Sequence, residues 1–511
     1  MKHKFTEKDL SQINHETLDR LRKHEMIDLT LRLRDFSIDL YEKLKLNSKN
    51  SSKPPSSDSP FQKNKETDDH TDSPNQSVDQ SQDQADDNKK DPSSDSQTKN
   101  TSADGKDKCS PGRQPVSQGF GRQKKPVDYQ VEHHYPQQCV ICNRLLAPGA
   151  NAHSGFYSFE LEKKPHEVTI TCTLHYYYSQ TCDCGHENVQ HPASGYESII
   201  EGRTRNLKLS EYTIVGPMLA TFIASLSRRS GMSRKKIQLF LRDWFGFDLS
   251  IGMICKSIRE AGIACYPVVD DLIDQLQRED KVHMDETPWY QKGIFCWVWV
   301  AISRNIAIYQ IGTRKKEQLL NLITEAFFGW LITDGYGAYR SYEKRQRCLA
   351  HLIRKAIALT GAVDKQAQKA GDWLLRELRS LIKLMAQGEA GMKPCRPILA
   401  RLKRACNLGS RSDHAKLKSL AKEILNDWDA VVAFVKNPGL PATNNEAERA
   451  LRWVVLYRKI TFGTRTDEGS QSFAALISVI ETCSLRNIEP WNYIAQSIAR
   501  GRKGLAPLPI E

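Results

Sequence analysis

The stretch Val282-His283-Met284-Asp285-Glu286-Thr287-Pro288-Trp289 decides how this chain is read. Val282 and Met284 alternate with His283 and Asp285, the two-residue period of a half-buried strand, and Pro288 reads as its stop. The pattern predicts a strand ending near Asp285, where a carboxylate is rigidly held yet reaches solvent. A second apolar run, Trp330-Leu331-Ile332-Thr333, ends in Asp334 before the turn residue Gly335. Farther on, Thr443-Asn444-Asn445-Glu446-Ala447-Glu448-Arg449 opens a helix that offers a third carboxylate. Two strand-end aspartates and a helical glutamate form a donor set for two divalent cations and phosphodiester chemistry, although none signifies it alone.

The neighbouring residues have structural readings of their own. Glu286 points to the opposite face of a continuing strand, which makes it the poorer ligand, and core packing is the default reading of His283. Thr443-x-x-Glu446 fits a capping box, and Asn445-x-x-Glu448 a weaker cap-like pairing that competes with a catalytic role for Glu448. Arg449 and Arg452 lie on the same helix, and Arg452 shares the Glu448 face; they either grip phosphates or balance the carboxylate.

Working outward, Phe295–Ile302 and Ile306–Ile311 read as strands, Lys315–Phe328 as a helix and Leu331–Thr333 as a fourth strand. Three strands, a helix and a strand resemble the first half of a ribonuclease-H-like mixed sheet. Cys348-x-x-His351, with Arg354 and Lys355, then opens a basic helical insertion lasting to about residue 436. Cys348-x-x-His351 lies on one helix face and is left unassigned. Pro438-Gly439-Leu440-Pro441 breaks the chain before the Glu448 helix, and Gly463, Gly469 and an apolar helix at Phe473–Ile480 follow.

At 511 residues the chain is long enough for several domains. Its formal charge is +13, but residues 51–110 hold 13 acids against 8 lysines and no arginine, a local −5 that leaves the remainder at +18. So basic a remainder fits either a polyanionic partner, nucleic acid first, or a basic solvated surface. Thirteen cysteines, most scattered in apolar stretches, do not make a disulfide framework. No signal-peptide core and no run of about eighteen apolar residues occurs, so a soluble cytosolic protein without a membrane partner is expected.

Upstream, residues 1–46 contain an amphipathic helix over 15–46 (Leu18, Leu21, Leu29, Leu33, Phe36, Leu40, Leu44), suited to a coiled coil, to docking or to a plain surface. Residues 47–125 read as a polar linker ending in a basic patch with Arg113, Arg122, Lys124 and Lys125. In 126–200, Cys139-x-x-Cys142 and Cys182-x-Cys184 flank alternating β residues, which suggests a zinc-ribbon-like site for structural Zn²⁺; the tight second pair leaves His186 or His175 as alternative ligands. Over 205–275, helices Tyr212–Leu226, Ser233–Trp244 and Ser250–Gly262 are predicted, with Ser233 and Ser250 as N-caps. Arg234, Lys235 and Lys236 make this either a helix-turn-helix-like DNA reader or a generic three-helix bundle.

Taken together, Asn50-Ser-Ser-Lys-Pro-Pro-Ser-Ser-Asp58, the cysteine pairs, Asp285-Glu-Thr-Pro288, Thr333-Asp-Gly-Tyr336 with Tyr339, Cys348-Leu-Ala-His351, Asn444-Asn-x-x-Glu-Arg449 and Arg458-Lys459 resemble the insertion-sequence-66 family of transposases along almost the whole chain. The resemblance implies a multi-domain α/β protein: a ribonuclease-H-like DDE catalytic domain over 276–465, with its helical insertion at about 350–436, and a C-terminal helical segment at 466–511. It implies a Mg²⁺-dependent (or Mn²⁺-dependent) enzyme of the bacterial cytosol that cuts element ends and joins them to target DNA. By position the acidic triad falls on Asp285, Asp334 and Glu448. Arg234, Lys235, Lys236, Arg354, Lys355, Arg449, Arg452, Arg458 and Lys459 are the candidate DNA contacts. The expected partners are terminal inverted repeats, target DNA, a second copy of the chain in a homo-oligomer and accessory proteins of the same element. The rival reading is a non-catalytic DNA-binding accessory protein or repressor descended from such an enzyme. The Cys-x-Cys pair and the acidic tract at 58–107 depart from the family pattern.

Overall fold

The computed structural model describes residues 22–44, 128–148, 152–200, 203–387 and 392–510. Leu18 and Leu21 of the N-terminal helix, and the tract and basic patch at 47–125, lie outside them. Helix α1 (Lys23–Leu44) presents exposed Met26, Ile27, Leu31 and Leu40. Among the described residues no helix is long and apolar enough to cross a membrane.

The first sheet is built from β1 (Gln130–His134), β2 (Ala152–Lys164), β3 (Glu167–Thr181) and the short β4 (Glu187–Val189). Strand β3 lies between β1, which is parallel to it, and β2, which is antiparallel; β4 pairs with its C-terminal end. A hairpin, β5 (Ser194–Ile200) and β6 (Arg203–Ser210), leads into four helices: α2 (Pro217–Arg228), α3 (Arg234–Phe245), α4 (Ile251–Ala264) and α5 (Tyr266–Leu276). The hydroxyls of Ser233 and Ser250 accept the Lys236 and Met253 backbone N–H groups, so both serines cap as expected.

The main sheet comprises β7 (Lys281–Gln291), β8 (Ile294–Ile302), β9 (Ala307–Gly312), β10 (Trp330–Thr333) and β11 (Arg345–Arg347), in the order β11-β10-β7-β8-β9. The first three form an antiparallel meander, and β10 and β11 join in parallel on the other side of β7. Short helix α6 (Lys316–Leu320) precedes β10. After β11 come α7 (Leu349–Thr360), α8 (Lys365–Ala386), α9 (Met392–Gly409), α10 (Ala415–Asn426), α11 (Trp428–Val431) and α12 (Ala433–Lys436), which bury a core of their own. Helices α13 (Asn445–Thr461), α14 (Asp467–Leu485) and α15 (Pro490–Arg502) return to the sheet. One face of the sheet, with Trp299 and Met284, shares a continuous core with α2–α5 and parts of α14 and α15. The other, with Val300 and Trp289, packs against Ala447, Leu451 and Val454 of α13 and Phe473 of α14.

Two sequence expectations are corrected here. Strand β7 does not stop near Asp285 but continues through Pro288 to Gln291, with Asp285 opposite Val300 and Pro288 opposite Trp297. Proline is tolerated because β10 pairs with β7 only as far as His283, so the edge facing away from β8 carries no ladder for it to break. The Pro288 carbonyl on that edge accepts from the Arg458 guanidinium instead. The helix predicted over Lys315–Phe328 shrinks to α6. Thr324 turns its N–H and hydroxyl to the Gln277 side-chain oxygen (3.0 and 3.1 Å), which takes the donor that a longer helix would need.

Candidate active site

Three segments aim carboxylates into one cavity of about 550 Å³. Asp285 comes from the centre of β7, Asp334 from the residue after β10, and Glu448 from the first turn of α13. Asp334 is pinned by an Asx turn in which its Oδ1 accepts the Tyr336 N–H at 2.8 Å. Gly335 follows, and the buried Arg347 guanidinium packs against it where a Cβ would stand. Asp285 accepts the Glu286 N–H at 2.9 Å.

Glu448 owes its place to Asn444, which is fully buried. The Asn444 amide Nδ2 donates to the Met284 carbonyl at 2.7 Å, its Oδ1 faces His283 Nδ1 at 3.0 Å, and its backbone N–H points at the Cys348 sulfur. Because Nδ2 must face the carbonyl, His283 Nδ1 carries the proton that Oδ1 accepts. One side chain thus ties the start of α13 to β7, and its backbone ties it to the turn before α7. The capping-box expectation does not hold: the Glu446 carboxylate turns to Arg449 at 3.3 Å, and the Asn444 N-cap makes no side-chain cap bond.

The cavity concentrates negative charge. Desolvation, with Glu286, Asp334 and Glu448 nearby, holds the Asp285 carboxyl well above its ordinary range. Burial and Asp334 push Glu286 up to about 7. Glu286 sits across the strand from Asp285, on the Trp299 side, yet lines the same cavity at the free edge of β7. It is already satisfied: Arg314 donates to Oε1 through two nitrogens (2.9 and 2.6 Å), and the Tyr339 hydroxyl donates to Oε2 at 2.8 Å. Arg314 is clamped between the Trp297 and Tyr336 rings, 4.2 and 4.3 Å from their centroids. Glu448 is engaged by Arg354 at 2.9 Å, with His351 Nδ1 3.7 Å away. Burial lowers the His351 imidazole, and its Nδ1 makes no hydrogen bond. Asp285 and Asp334 have no cationic partner among the described residues. Their hard-oxygen donors and uncompensated charge fit a divalent cation such as Mg²⁺.

The candidate DNA-contact residues divide by surroundings. Arg354 and Arg452 line the cavity with the carboxylates. Lys355 is held by Glu423 at 2.7 Å, Arg449 by Glu446, and Arg458 by Thr287 and Pro288 of β7, with Lys459 exposed beside it. Arg234, Lys235 and Lys236 open α3, outside the residues that line the cavity. Sequence reasoning missed Asn444, Arg314 and Tyr339 as site residues. Tyr339 lay in a quoted motif, whereas Arg314 stands in a loop with no local signal.

A second cluster sits on the first sheet. The thiols of Cys139, Cys142, Cys182 and Cys184 lie within 4.8 Å of one another, with Sγ–Sγ separations of 3.7 Å (139–184) and 3.5 Å (142–182). A tetrahedral ion with Zn–S bonds of roughly 2.3 Å has edges of about 3.8 Å, so the four thiols fit zinc without a histidine. Two turns make this possible: Asn143 and Gly185 take positive φ after their cysteine pairs. Within this cluster, hydrogen bonds lower the Cys139 thiol, while burial and the neighbouring thiols raise Cys182.

A carboxylate-lined cavity on a mixed sheet, with a separate thiol cluster, defines an α/β protein with two groups of metal-type donors. The family model described as "Transposase IS66 family" matches residues 213–472, and the chain belongs to that family. It is 21% identical over 308 residues to "Uncharacterized protein y4qI" of Sinorhizobium fredii, covering 53% of this chain and 57% of that protein. It is 24% identical over 275 residues to "Uncharacterized protein y4jD" of the same organism, covering 46% of this chain and 52% of the other. The chain thus spans about half the length of these relatives. The matched region contains Asp285, Asp334 and Glu448 and excludes the thiol cluster.

Proposed function

We propose that the chain is a DDE transposase with a ribonuclease-H-like core, in which Asp285, Asp334 and Glu448 hold divalent metal for DNA cleavage and strand transfer. The observation that carries this reading is the convergence of three carboxylates, from the central strand, the end of its parallel neighbour and a returning helix, in one cavity. A five-stranded sheet of order β11-β10-β7-β8-β9, antiparallel except where β10 and β11 join, supports the ribonuclease-H-like assignment. When bound, Mg²⁺ ions would neutralise the attacked phosphate and activate the attacking oxygen. Asp285, on the strand that both β10 and α13 contact, would hold the metal together with Asp334 and Glu448. Glu286 holds Arg314 at the rim and so orients a cation where a phosphate oxygen would arrive. Arg354 is ion-paired with Glu448 at 2.9 Å, and a bound metal would compete with it for that carboxylate.

The thiol cluster is proposed as structural zinc, which supplies an anchor for a small sheet with little core of its own. Helices α2–α4, with Arg234, Lys235 and Lys236 at the start of α3, are proposed to bind the element's terminal repeats. The test is nicking of a labelled duplex carrying those repeats. Mg²⁺-dependent 3′-end cleavage by the wild-type protein should vanish in Asp285→Asn while end binding persists. Cleavage retained in Asp285→Asn contradicts the proposal. Binding without cleavage by either protein, even with accessory proteins of the element added, supports a repressor instead.

A further inference from the structure

The edge of the first sheet carries a group of metal-type donors that is separate from both clusters above. Glu132 and His134 lie two residues apart on β1 and so share a face, and the parallel register sets Glu132 directly opposite His175 of β3. Their donor atoms converge. His134 Nε2 is 3.0 Å from His175 Nδ1, Glu132 Oε2 is 3.3 Å from His175 Nδ1, and Glu132 Oε2 is 3.8 Å from His134 Nε2. A tetrahedral zinc ion with bonds of about 2.0–2.1 Å has ligand–ligand edges of roughly 3.3 Å, the mean of the spacing seen here.

We propose that Glu132, His134 and His175 form a second transition-metal site, a two-histidine, one-carboxylate zinc centre whose fourth position is open to water.

The surroundings fit that role. The other ring nitrogen of His175, Nε2, lies 2.8 Å from the Ser158 hydroxyl. With its Nε2–H given to Ser158, the His175 Nδ1 lone pair faces Glu132 and His134; such an outer partner commonly fixes the tautomer of a metal-binding histidine. His134 stacks on Tyr177 at 4.5 Å and His175 on Phe156 at 5.1 Å, so both rings are held before any ion arrives. To bind an ion through Nε2, a neutral His134 would carry its proton on Nδ1, so ligation would replace the 3.0 Å inter-ring hydrogen bond through a tautomer change, with no net loss of a proton. Imidazole nitrogens with one carboxylate select zinc-type ions over Mg²⁺ or Ca²⁺. His175 stands seven residues before Cys182, about 23 Å of extended chain, so the two sites are distinct. The second ion would clamp the C-terminal half of the five-residue edge strand β1 onto β3.

This inference rests on neither the carboxylate cavity nor the transposase reading. The test uses the full chain purified with zinc and washed in Mg²⁺ buffer. Elemental analysis should find about two zinc ions per protomer, falling to about one in His134→Gln, His175→Gln or Cys182→Ser. Glutamine keeps a donor near Nε2 for the inter-ring hydrogen bond but binds zinc poorly, so His134→Gln separates ligation from folding. Zinc-edge X-ray absorption of the wild-type protein needs no variant and should show imidazole scattering beside a sulfur shell. Unchanged zinc content in both histidine variants, or a shell of sulfur alone, overturns the proposal and leaves an ordinary hydrogen-bonded histidine pair.

Discussion

Replacing Asn444 by alanine tests how Glu448 is held. The substitution deletes the Nδ2 bond to the Met284 carbonyl and the Oδ1 partner of His283, both away from water. Each group left unpaired in the interior costs about 1–3 kcal/mol, so the sum is about 2–6 kcal/mol. The backbone N–H of residue 444 keeps its contact with the Cys348 sulfur, and Ala447, Leu451 and Val454 keep α13 against the sheet. The helix should therefore loosen at its start rather than detach. Urea unfolding followed by tryptophan fluorescence, which reports the buried Trp289 and Trp299, should show the loss for the transition of this sheet. Asn444→Asp keeps the volume but offers no donor to Met284 and should be no milder. A loss below about 0.5 kcal/mol in Asn444→Ala would refute the view that this residue bolts the helix to the strand, since that is the range of neutral surface changes.

Other outcomes follow from the same geometry. Glu286 sits near 7 in the folded protein against an ordinary 4.5, so its neutral form is favoured by folding. In metal-free protein its contribution is fully present below about pH 4.5 and is lost as pH rises through about 7. Melting temperature measured against pH in EDTA should fall across that window; Glu286→Gln should flatten the curve, and a rise in the wild-type protein would contradict the assignment. Arg354→Gln frees Glu448 from its 2.9 Å ion pair and should lower the Mn²⁺ concentration for half-saturation about 5-fold to 30-fold, equivalent to about 1–2 kcal/mol, read by paramagnetic relaxation. Unchanged affinity would mean that the pair does not compete with metal. Zinc chelation should unfold the sheet around Cys139–Cys184 first and leave the main sheet's melting transition in place. A single shared transition would show that the two cores are energetically one.

Much of this was legible in the chain because local patterns dictated it. Apolar alternation placed β7 and β8, the run ending at Asp334 placed β10, and Ser233 and Ser250 marked helix starts that the structure keeps. The thiol pairs were readable from spacing alone, although only the fold shows all four converging without His186 or His175. What stayed hidden depends on contacts between distant residues. Pro288 reads as a strand stop unless it is known that β10 leaves that edge of β7 unpaired. Thr443 and Asn445 read as caps, and the part played by their neighbour Asn444 emerges only when three segments are seen to meet on it. Glu286 was read as a bystander, since no periodicity reveals that Arg314 and Tyr339 come to it from 28 and 53 residues away. Arg354 and Lys355 read as phosphate contacts because a basic helix hides the glutamates that hold them.

The most direct measurement is nicking of a labelled duplex bearing the element's terminal repeat, in Mg²⁺ or Mn²⁺, by the wild-type protein and by Glu448→Gln. Glutamine keeps the size and the helix but removes the charge through which α13 would hold metal. The account predicts metal-dependent 3′-end cleavage by the wild-type protein and none by Glu448→Gln, with both binding the ends equally. Cleavage by Glu448→Gln at the wild-type rate would contradict it.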